Sequence, residues 1–354
     1  WLAALGTIAD VVPLLDENRI IARFGLDALS ASSSPGIEAL CEAARINRDM
    51  LSATDVAFRI APRLNAAGRM GCARKCVELL TTDDAGAARE IAAELNTENG
   101  RRQRMQERIL QEARELRDAA SEATYEHALL LAREDWHAGV VGIVAARLAE
   151  EHRRPALLLT IEGDEAHGSA RSIPGFNLFE ALSECGKHLT AFGGHAMAAG
   201  LRLPASALDA FREDFSRVAA ARLSDVERTP RLDLDAQVTL TDLRRPVVDQ
   251  LTSLRPFGSD NPEPLLVASE VTVPGPVKRI GSTGRHVSFH VRQNGAALRA
   301  VAFGMGEQAE AIEGAKVCSL AFVPKINRWR GRESVELEVR DVKLGPGSPL
   351  EGAS

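Results

Sequence analysis

The sequence has no apolar run that approaches the roughly 20 residues needed to cross a bilayer, so a transmembrane helix is excluded. No basic segment precedes the first apolar residues, so no secretory signal peptide is indicated. The chain does not begin with methionine, and we expect a fragment or a processed protein. Internal repeats and low-complexity tracts are also absent. What remains is the composition of an ordinary globular protein, with 45% hydrophobic and 26% charged residues.

Cysteine is scarce, and its spacing excludes two common uses. The five cysteines form no CxxC pair and no Cys/His cluster with the spacing of a zinc site. They are Cys41, Cys72, Cys76, Cys185 and Cys318. Reduced thiols are the expectation, and they predict a cytoplasmic protein.

The net charge of −6 does not by itself indicate a nucleic-acid partner. The charge is unevenly distributed, because residues 231–354 contain 16 Lys and Arg against 15 Asp and Glu, whereas the remainder contains 27 against 34. The C-terminal part is therefore less acidic than the rest of the chain, which is a weak sign of a polyanionic partner.

The first 120 residues have a helical pattern. Apolar residues at helical spacing predict helix over 2–31, interrupted at Pro13. Short helices are predicted over 35–47 and 53–61, the second capped by Thr54 or Asp55, and a loop with Pro62, Asn65 and Gly68 should follow. From Asp84 to Ser121 an apolar stripe recurs beside charged partners, which predicts one long helix between two folded regions.

The rest of the chain divides into an α/β part and a β-rich part. Predicted strands at 127–132, 155–161, 167–171 and 196–203 alternate with predicted helices at 139–152, 178–188 and 204–222, which indicates an α/β domain. After residue 230, short alternating stretches are separated by turns. These predicted strands are 233–239, 265–273, 286–292, 297–303, 317–325 and 334–341. Five or six strands in about 110 residues suit a small barrel of the OB type. Residues 345–354 are expected to be a disordered tail.

Several polar segments are candidates for a site. Asp10 is a lone acid in the apolar run 5–14, and a buried carboxylate needs a cation, hydrogen bonds or a metal; a capping or salt-bridged aspartate is the alternative. Residues 62–70 place Arg63, Asn65 and Arg69 among small residues, and the guanidinium fork suits phosphate; solvated arginines in a loop are the alternative.

Two further segments lie in the α/β part. His137 stands between a strand and a helix, where it and the backbone N–H groups would face an anion, although a lone histidine is more often structural. Ser169, Arg171 and Ser172 end a strand. Together with a Gly-Gly-His loop that carries His195, they make a plausible pocket for a phosphate and a base.

The β-rich part interleaves aromatic and basic residues. The aromatic residues are Phe257, Phe289, Phe303 and Trp329, and the basic ones are Lys278, Arg279, Arg285, Lys325, Arg328 and Arg330. OB barrels bind single strands by stacking bases on aromatic rings in a basic groove. Most of the phenylalanines are expected to be core, and Trp329, between two arginines, is the predicted stacking residue.

Taken together, these segments resemble the RecJ branch of the DHH/DHHA1 phosphoesterase superfamily over nearly the whole chain. Residues 5–14 resemble its last metal-ligand motif, 62–70 its substrate-facing Asn-x-x-Gly-Arg element, and 254–264 a loop of its OB domain. Residues 136–147, 168–172 and 193–195 resemble its DHHA1 domain. The resemblance implies the end of a DHH catalytic domain at 1–82, a connector helix at 83–122, a DHHA1 domain at 123–228, and an OB domain at 229–344.

The function that the resemblance implies is a single-stranded-DNA-specific 5′→3′ exonuclease of DNA repair and recombination, which hydrolyses phosphodiester bonds with two Mn²⁺ or Mg²⁺ ions. Asp10 would be a metal ligand, and His195 would lie at the reacting nucleotide. The implied phosphate ligands are Asn65, Arg69, Ser169 and Arg171, with Arg63, His137 and Ser172 as further candidates. The Asp-His-His motif that names the superfamily does not occur in the chain, so these 354 residues alone are expected to be nearly inactive.

Two alternatives stay open. The first is a phosphodiesterase for short oligonucleotides or cyclic dinucleotides, and the second is a single-strand-binding module without catalysis. The expected partner is single-stranded DNA. A helicase or a single-strand-binding protein follows from the resemblance only. A monomer without membrane association is expected.

Overall fold

The chain forms two compact units in the computed structural model, which describes residues 1–69, 73–223, 232–329 and 331–346. The first unit comprises Trp1–Ala28, Ser52–Thr54 and Leu232–Ser354. The second comprises Leu29–Leu51 and Asp55–Arg231. Cys72, Arg330 and all but the first two residues of the predicted tail lie outside the described residues, as does the side chain of Trp329.

Helices dominate the first 120 residues and recur between the strands. They are α1 (Leu2–Ala9), α2 (Asp16–Ser30), α3 (Pro35–Ala43), α4 (Ala53–Asp55), α5 (Ala61–Arg69), α6 (Ala73–Thr81), α7 (Ala85–Ala119), α8 (Ala138–His152), α9 (Leu178–Glu184), α10 (Leu208–Arg222), α11 (Arg245–Ser253) and α12 (Ala309–Ala315). The break between α1 and α2 confirms the predicted interruption at Pro13. None of the described helices combines the length and the apolar composition that a bilayer crossing requires.

Twelve strands are found among the described residues. They are β1 (Leu129–Glu134), β2 (Ala156–Glu162), β3 (Glu165–Arg171), β4 (Ala191–Gly194), β5 (Ala198–Pro204), β6 (Ala236–Gln237), β7 (Leu266–Thr272), β8 (Lys278–Ile280), β9 (His286–Gln293), β10 (Ala296–Ala302), β11 (Val317–Trp329) and β12 (Arg332–Leu344). They form a five-stranded sheet of order β1-β2-β3-β5-β4 and a seven-stranded sheet of order β6-β7-β11-β12-β10-β9-β8. The predicted α/β class with a C-terminal OB-type sheet is confirmed.

The five-stranded sheet forms the core of the second unit. β1 pairs with β2 in parallel, and the other pairings are antiparallel. The continuous apolar runs of β1 and β2 are buried, as is usual for strands that are covered on both faces. Helices α8 and α10 contribute the apolar residues that cover them, including Val140, Val144, Phe211 and Phe215.

The long helix α7 confirms the helix predicted from Asp84 to Ser121. Its N-terminus is capped by Asp84, whose carboxylate accepts from the N–H groups of Gly86 (2.6 Å) and Ala87 (3.1 Å). Its 35 residues correspond to about 52 Å of α-helix. Ala88, Ile91 and Leu95 are buried in its first half, and Ile109, Leu110 and Ala113 join the core of the sheet in its second half. One helix therefore ties the helical part of the unit to the α/β part.

The loop predicted at Pro62 is wrong, because residues 61–69 form α5. A proline inside a helix costs stability, since it lacks an N–H group. A π-helical turn (Val56–Ile60) precedes it, and the N–H of Ala61 donates to Val56, five residues back. The π-helical turn therefore interrupts the regular i to i−4 hydrogen bonding just before Pro62, which is how the continuous helical run accommodates a residue without an N–H donor. Thr54 and Asp55 were predicted to cap the helix expected at 53–61 but lie within α4, and Asp55 pairs with Arg59 (2.9 Å).

The seven-stranded sheet forms the core of the first unit. β11 pairs with β7 and with β12, and Thr272 of β7 also pairs with Arg292 of β9, so the sheet curls towards a small barrel. Its interior contains Val271, Phe289, Leu320, Phe322 and Leu337. The strand β8 and the helix α12 were not predicted, because three and seven residues are too few to show a period. The nine-residue helices α6 and α11 were also missed, although α3, of the same length, was predicted.

Helices α1 and α2 belong to the same unit and contact the loop after α11. Leu14 donates its N–H to Ser259 (2.8 Å), and the α2 side chains Arg19 and Arg23 donate to the carbonyl oxygens of Leu254 (2.6 Å) and Ser253 (3.0 Å). Cationic side chains often satisfy the last carbonyls of a helix in this way. The loop at 254–264, singled out in the sequence, is therefore also a packing element.

Large exposed apolar side chains are concentrated in the first eighty residues. They are Leu2, Val11, Leu15, Ile20, Ile21, Phe24, Met50, Phe58 and Val77. Apolar surface of this extent often marks a contact with other protein.

Replacing Asp84 by Ala should lower the free energy of unfolding of the second unit by about 1 kcal/mol, because two N–H groups at the start of α7 lose their acceptor. Urea unfolding followed by circular dichroism would measure this. Asp83→Ala is the matched control and should change stability by less than about 0.5 kcal/mol. Equal effects of the two substitutions would contradict the assignment of Asp84 as the cap.

Candidate functional site

Two side chains of β3 lie against the N-terminal half of α8. Side chains two residues apart on a strand share a face, so Ser169 and Arg171 point the same way. Gly142 of α8 provides their space, because a Cβ at this position would lie 2.9 Å from Nη2 of Arg171 and 3.1 Å from Oγ of Ser169. Arg171 is half-buried and donates Nη1–H to the carbonyl oxygen of Ala170 (2.8 Å). The structure therefore brings these two predicted residues together.

The guanidinium of Arg69 reaches the same place from the end of α5. It donates to the carbonyl oxygen of Gly139 in the first turn of α8 (3.1 Å). Burial, and after it the charge of Arg69, lower the pKa of Arg171. No carboxylate from the described part of the chain is among the groups that shift this pKa. Two neighbouring guanidiniums without a counter-ion favour an anion between them. Asn65 is exposed one helical turn before Arg69, on the same face of α5.

The start of α8 is held in place by structural contacts. His137 is the N-cap, and its Nδ1 accepts from the N–H of Gly139 (3.1 Å). Since Nδ1 is an acceptor, the neutral ring has its proton on Nε2. The buried Trp136 donates its indole N–H to Glu112 of α7 (2.8 Å). His137 thus has a capping role at one ring nitrogen, and its other nitrogen is a potential donor to a ligand.

Glycines beside Ser169 leave the surface of the sheet without side chains. Gly200 of β5 pairs with Ser169, and Gly193 of β4 pairs with Gly200. They line a shallow groove of about 380 Å³ whose border includes His167 and Arg202, the latter paired with Glu165 (2.5 Å). The full lining is Ala138, His167, Gly168, Ser169, Ala191, Phe192, Gly193, Gly200, Leu201 and Arg202, without a carboxylate. A surface with so few side chains lets a ligand approach the backbone closely.

His195 lies in the turn at the end of this strand pair. The preceding Gly193 and Gly194 were predicted as a loop but form the edge strand β4. Gly194 has φ +146°, and a Cβ there would lie 2.3 Å from the carbonyl oxygen of Ala198, so the position requires glycine. The backbone N–H of His195 donates to Ala198 (2.8 Å), and its side chain is exposed.

Two other candidates have structural partners. Arg63 donates Nε–H to Asn96 of α7 (3.1 Å) and further N–H groups to the carbonyl oxygens of Arg59 and Ala43, and burial lowers its pKa. Ser172 is buried and donates its hydroxyl to the carbonyl oxygen of Phe176 (2.7 Å). The Arg63 and Ser172 side chains are thus engaged by the protein itself and do not line the groove beside Ser169. The sequence could not show this, because their partners are backbone groups and side chains of other segments.

Asp10 is exposed at the end of α1, not buried as its apolar neighbours suggested. It lies in the first unit, whereas the arginine and serine candidates lie in the second. Among residues 1–69, 73–223, 232–329 and 331–346, no group of three or more His, Cys, Asp or Glu side chains could hold a metal ion. The described residues therefore do not form a site for Mn²⁺ or Mg²⁺ by themselves, and no metal-dependent step is derived from them.

The barrel carries an aromatic ring beside basic residues. Phe303 is 56% exposed and packs edge-on against His286, with ring centroids 5.3 Å apart. Arg279 of β8 reaches the same loop, because its Nε–H donates to the carbonyl oxygen of Gly306 (3.1 Å). Lys278 and Arg285 are exposed on either side of the β8–β9 turn. The expectation of core packing is confirmed for Phe289, which is buried, and is wrong for Phe303.

The second predicted group in the barrel lies at the β11–β12 turn. Arg328 is exposed and forms an ion pair with Glu333 (2.8 Å). Trp329 ends β11, and its role as a stacking residue stays a prediction, as does the role of Arg330. Lys325 pairs with Glu263, which leaves its charge neutralised.

Comparison with known proteins identifies two domains in the chain. A family model of the DHHA1 domain matches residues 124–221, and a family model of the RecJ OB domain matches residues 234–341. The first range contains Ser169, Arg171 and the glycine-lined groove. The second contains Phe303 and the basic residues around it.

Relatives at 34–37% identity match nearly the whole chain. The chain is 37% identical over 345 residues to a single-stranded-DNA-specific exonuclease RecJ of Bacillus subtilis, covering 97% of this chain and 44% of that protein. The structure resembles RecJ of Thermus thermophilus in complex with Mg²⁺, with a TM-score of 0.84 and 35% identity, covering 99% of this chain and 52% of the other. A complex of that RecJ with Mn²⁺ matches with a TM-score of 0.83 and 34% identity, covering 100% and 50%. The chain thus spans about half the length of these relatives.

Replacing Gly142 by Ala should displace the Arg171 guanidinium, because the new methyl group would lie 2.9 Å from Nη2. We expect weaker binding of a phosphorylated oligonucleotide, by about tenfold, measured by fluorescence anisotropy. Gly100→Ala in α7 is the matched control, since its Cβ would meet only Nη1 of Arg104, at 3.5 Å. The control should raise helix stability by about 0.5–1 kcal/mol and leave binding unchanged. Unchanged binding by Gly142→Ala would remove Arg171 from the site.

Proposed function

The chain is a homologue of the RecJ single-stranded-DNA-specific exonucleases that contains a DHHA1 domain and a RecJ OB domain, and we propose that it takes part in the 5′→3′ hydrolysis of single-stranded DNA. One observation carries the proposal. Arg69 and Arg171 come from different elements and reach the N-terminal half of α8, Arg171 lies beside the Ser169 hydroxyl, and neither arginine has a carboxylate partner among the described residues. An arrangement of this kind suits a phosphate dianion better than any neutral ligand.

In this proposal the 5′ end of the strand binds at the DHHA1 domain. Arg69, Arg171 and Ser169 hold phosphate oxygens, and Asn65, four residues before Arg69, donates to the same group. The glycine-lined groove beside Ser169 receives the terminal nucleotide, with His195 at its end and the Nε2–H of His137 as a further donor. Rigid positioning of this sort can supply a large part of the rate enhancement, because the reacting bond is held in one geometry.

The barrel holds the strand that follows. Phe303 offers a ring for base stacking, and Lys278, Arg279 and Arg285 are the nearby cations for the backbone. Arg328, Trp329 and Arg330 are proposed as a second contact region at the β11–β12 turn. Stacking and backbone charge do not depend on the base sequence, which suits an enzyme that degrades any strand.

We propose Mn²⁺ or Mg²⁺ as the cofactor, two ions per active site, with Asp10 as one ligand. When bound, such ions activate a water molecule and stabilise the leaving oxygen. The remaining ligands would have to come from outside the described residues. A cytoplasmic monomer that acts on strands exposed by a helicase or coated by a single-strand-binding protein is part of the same proposal.

The binding test uses the 354-residue chain and a 5′-phosphorylated single strand of about 20 nucleotides. We expect binding that prefers the single strand to the matched duplex and weakens with salt, because stacking needs unpaired bases and each phosphate contact releases counter-ions. Fluorescence anisotropy over a salt series measures both. Equal affinity for the duplex would contradict the proposal and favour a short oligonucleotide or a cyclic dinucleotide as the ligand.

A second test concerns catalysis by the same chain. With Mn²⁺ present, the 354 residues should digest a labelled single strand no faster than the Asp10→Asn variant does, because one carboxylate cannot hold two divalent ions. Gel analysis of the products measures the rate. Robust Mn²⁺-dependent digestion that Asp10→Asn abolishes would show that a complete metal site exists in this chain.

The alternative of a single-strand-binding module without catalysis predicts the same binding result. The two hypotheses differ for a longer protein that contains this sequence together with the metal motifs of the superfamily. A binding module has no nuclease activity in that protein, with or without the Arg171→Ala substitution. The proposed exonuclease instead predicts a large loss of kcat/KM there.

A further inference from the structure

Arg102 lies in the middle of α7 and has only neutral partners. Its Nε–H donates to Oδ1 of Asn99 (3.3 Å), and its Nη1–H donates to Oε1 of Gln106 (3.2 Å). Asn99 is itself buried, so the contact holds the guanidinium in one orientation. Sequence periodicity treats Arg102 as one more surface charge on a charged helix, but its side chain is only partly exposed.

Four other arginines of α7 have carboxylate partners. Arg101 lies 3.9 Å from Glu98, and Arg108 lies 3.9 Å from Glu112. Arg114 pairs with Glu151 (2.6 Å), and Arg117 pairs with Asp118 (2.7 Å). Arg102 forms no such ion pair with any described residue; Arg89 and Arg104 form none either, but their side chains are exposed to water. A positive charge that is half-buried without a counter-ion is costly, so the position of Arg102 suggests a ligand.

Arg102 lies next to the phosphate site described above. The hydrogen bond between Arg63 and Asn96 joins α5 to α7. Six residues further along each helix, a step of about 9 Å, stand Arg69 and Arg102. Burial, and after it the charge of Arg69, lower the pKa of Arg102. The same charge lowers the pKa of Arg171. Arg69 is therefore a neighbour of both Arg102 and Arg171, and the three guanidiniums together make up a cationic row.

We propose that Arg102 binds the second phosphate of the DNA strand, next to the terminal phosphate held by Arg69 and Arg171. The inference rests on the proposed function and extends it, because it assigns the connector helix a direct role in substrate binding. Two phosphates between three guanidiniums would neutralise the row. The strand would then run from the DHHA1 domain along α7.

The experiment compares Arg102→Gln with Arg101→Gln in the 354-residue chain. Both substitutions remove one positive charge from adjacent positions of α7, but Arg101 is exposed and already paired with Glu98. The probe is a 5′-phosphorylated 20-mer. Arg102→Gln should weaken binding by about 10- to 100-fold and make the slope of log affinity against log salt shallower by about 0.7. Arg101→Gln should change neither by more than about twofold.

A second probe identifies the phosphate. The probe is a 20-mer with a neutral methylphosphonate at the second phosphate. The unmodified protein should bind it more weakly than the normal 20-mer, by nearly the factor that Arg102→Gln causes with the normal 20-mer. The Arg102→Gln variant should bind the two 20-mers equally. If the losses of affinity caused by the methylphosphonate and by Arg102→Gln are additive when the two changes are combined, the assignment is overturned.

Thermal unfolding without DNA distinguishes binding from packing. Loss of Arg102 relieves repulsion from Arg69, so the Tm of Arg102→Gln should stay level or rise. A fall of several degrees with the DNA affinity unchanged would mean a structural role and overturn the inference.

If Arg171→Gln abolishes binding while Arg102→Gln behaves like Arg101→Gln, this inference fails and the proposed function stands. If the unmodified chain binds no single strand, the proposed function itself fails.

Discussion

Repulsion between neighbouring guanidiniums is the constraint on which the candidate site depends. The exposed Arg69 and the half-buried Arg171 are held by contacts that carry no negative charge: a carbonyl oxygen of α8 for Arg69, and a backbone oxygen of β3 with the open space above Gly142 for Arg171. Burial of Arg171 raises the cost of its charge, since the surrounding water that would screen the charge is reduced. In the proposed function, a bound phosphate dianion offsets this cost.

The scaffold around these arginines consists of few parts, and each has a clear physical function. Helix α7 fixes the loop before α8 through the bond from Trp136 to Glu112. His137 then caps α8, and Gly139 and Gly142 allow α5 and β3 to approach it. Any larger side chain at either glycine would collide with an arginine of the site. Gly139 and Gly142 are thus packing residues that make the geometry of the candidate site possible.

The barrel presents a different kind of surface. Its cations lie around an exposed ring, whereas in the DHHA1 domain Arg69 and Arg171 reach the start of α8 and a glycine-lined groove lies beside Ser169. The first arrangement suits unpaired bases with their backbone, and the second suits a terminal phosphate with its nucleotide. In the proposed function, the two surfaces supply the two kinds of contact that degradation of a strand from one end requires. This division matches the homology of the two parts to DHHA1 and RecJ OB domains.

The sequence by itself determined many of the helices and strands, the long helix that begins after Asp84, the barrel, and the identity of Arg69, Ser169 and Arg171 as candidates. These depend on local periodicity and on short motifs, which are visible along the chain. Only the tertiary structure decided that Arg63 and Ser172 have structural partners, that Phe303 is exposed while Phe289 is buried, and that Arg102 lacks a counter-ion among the described residues. Burial and charge compensation are set by side chains distant in sequence, and no local pattern reports them.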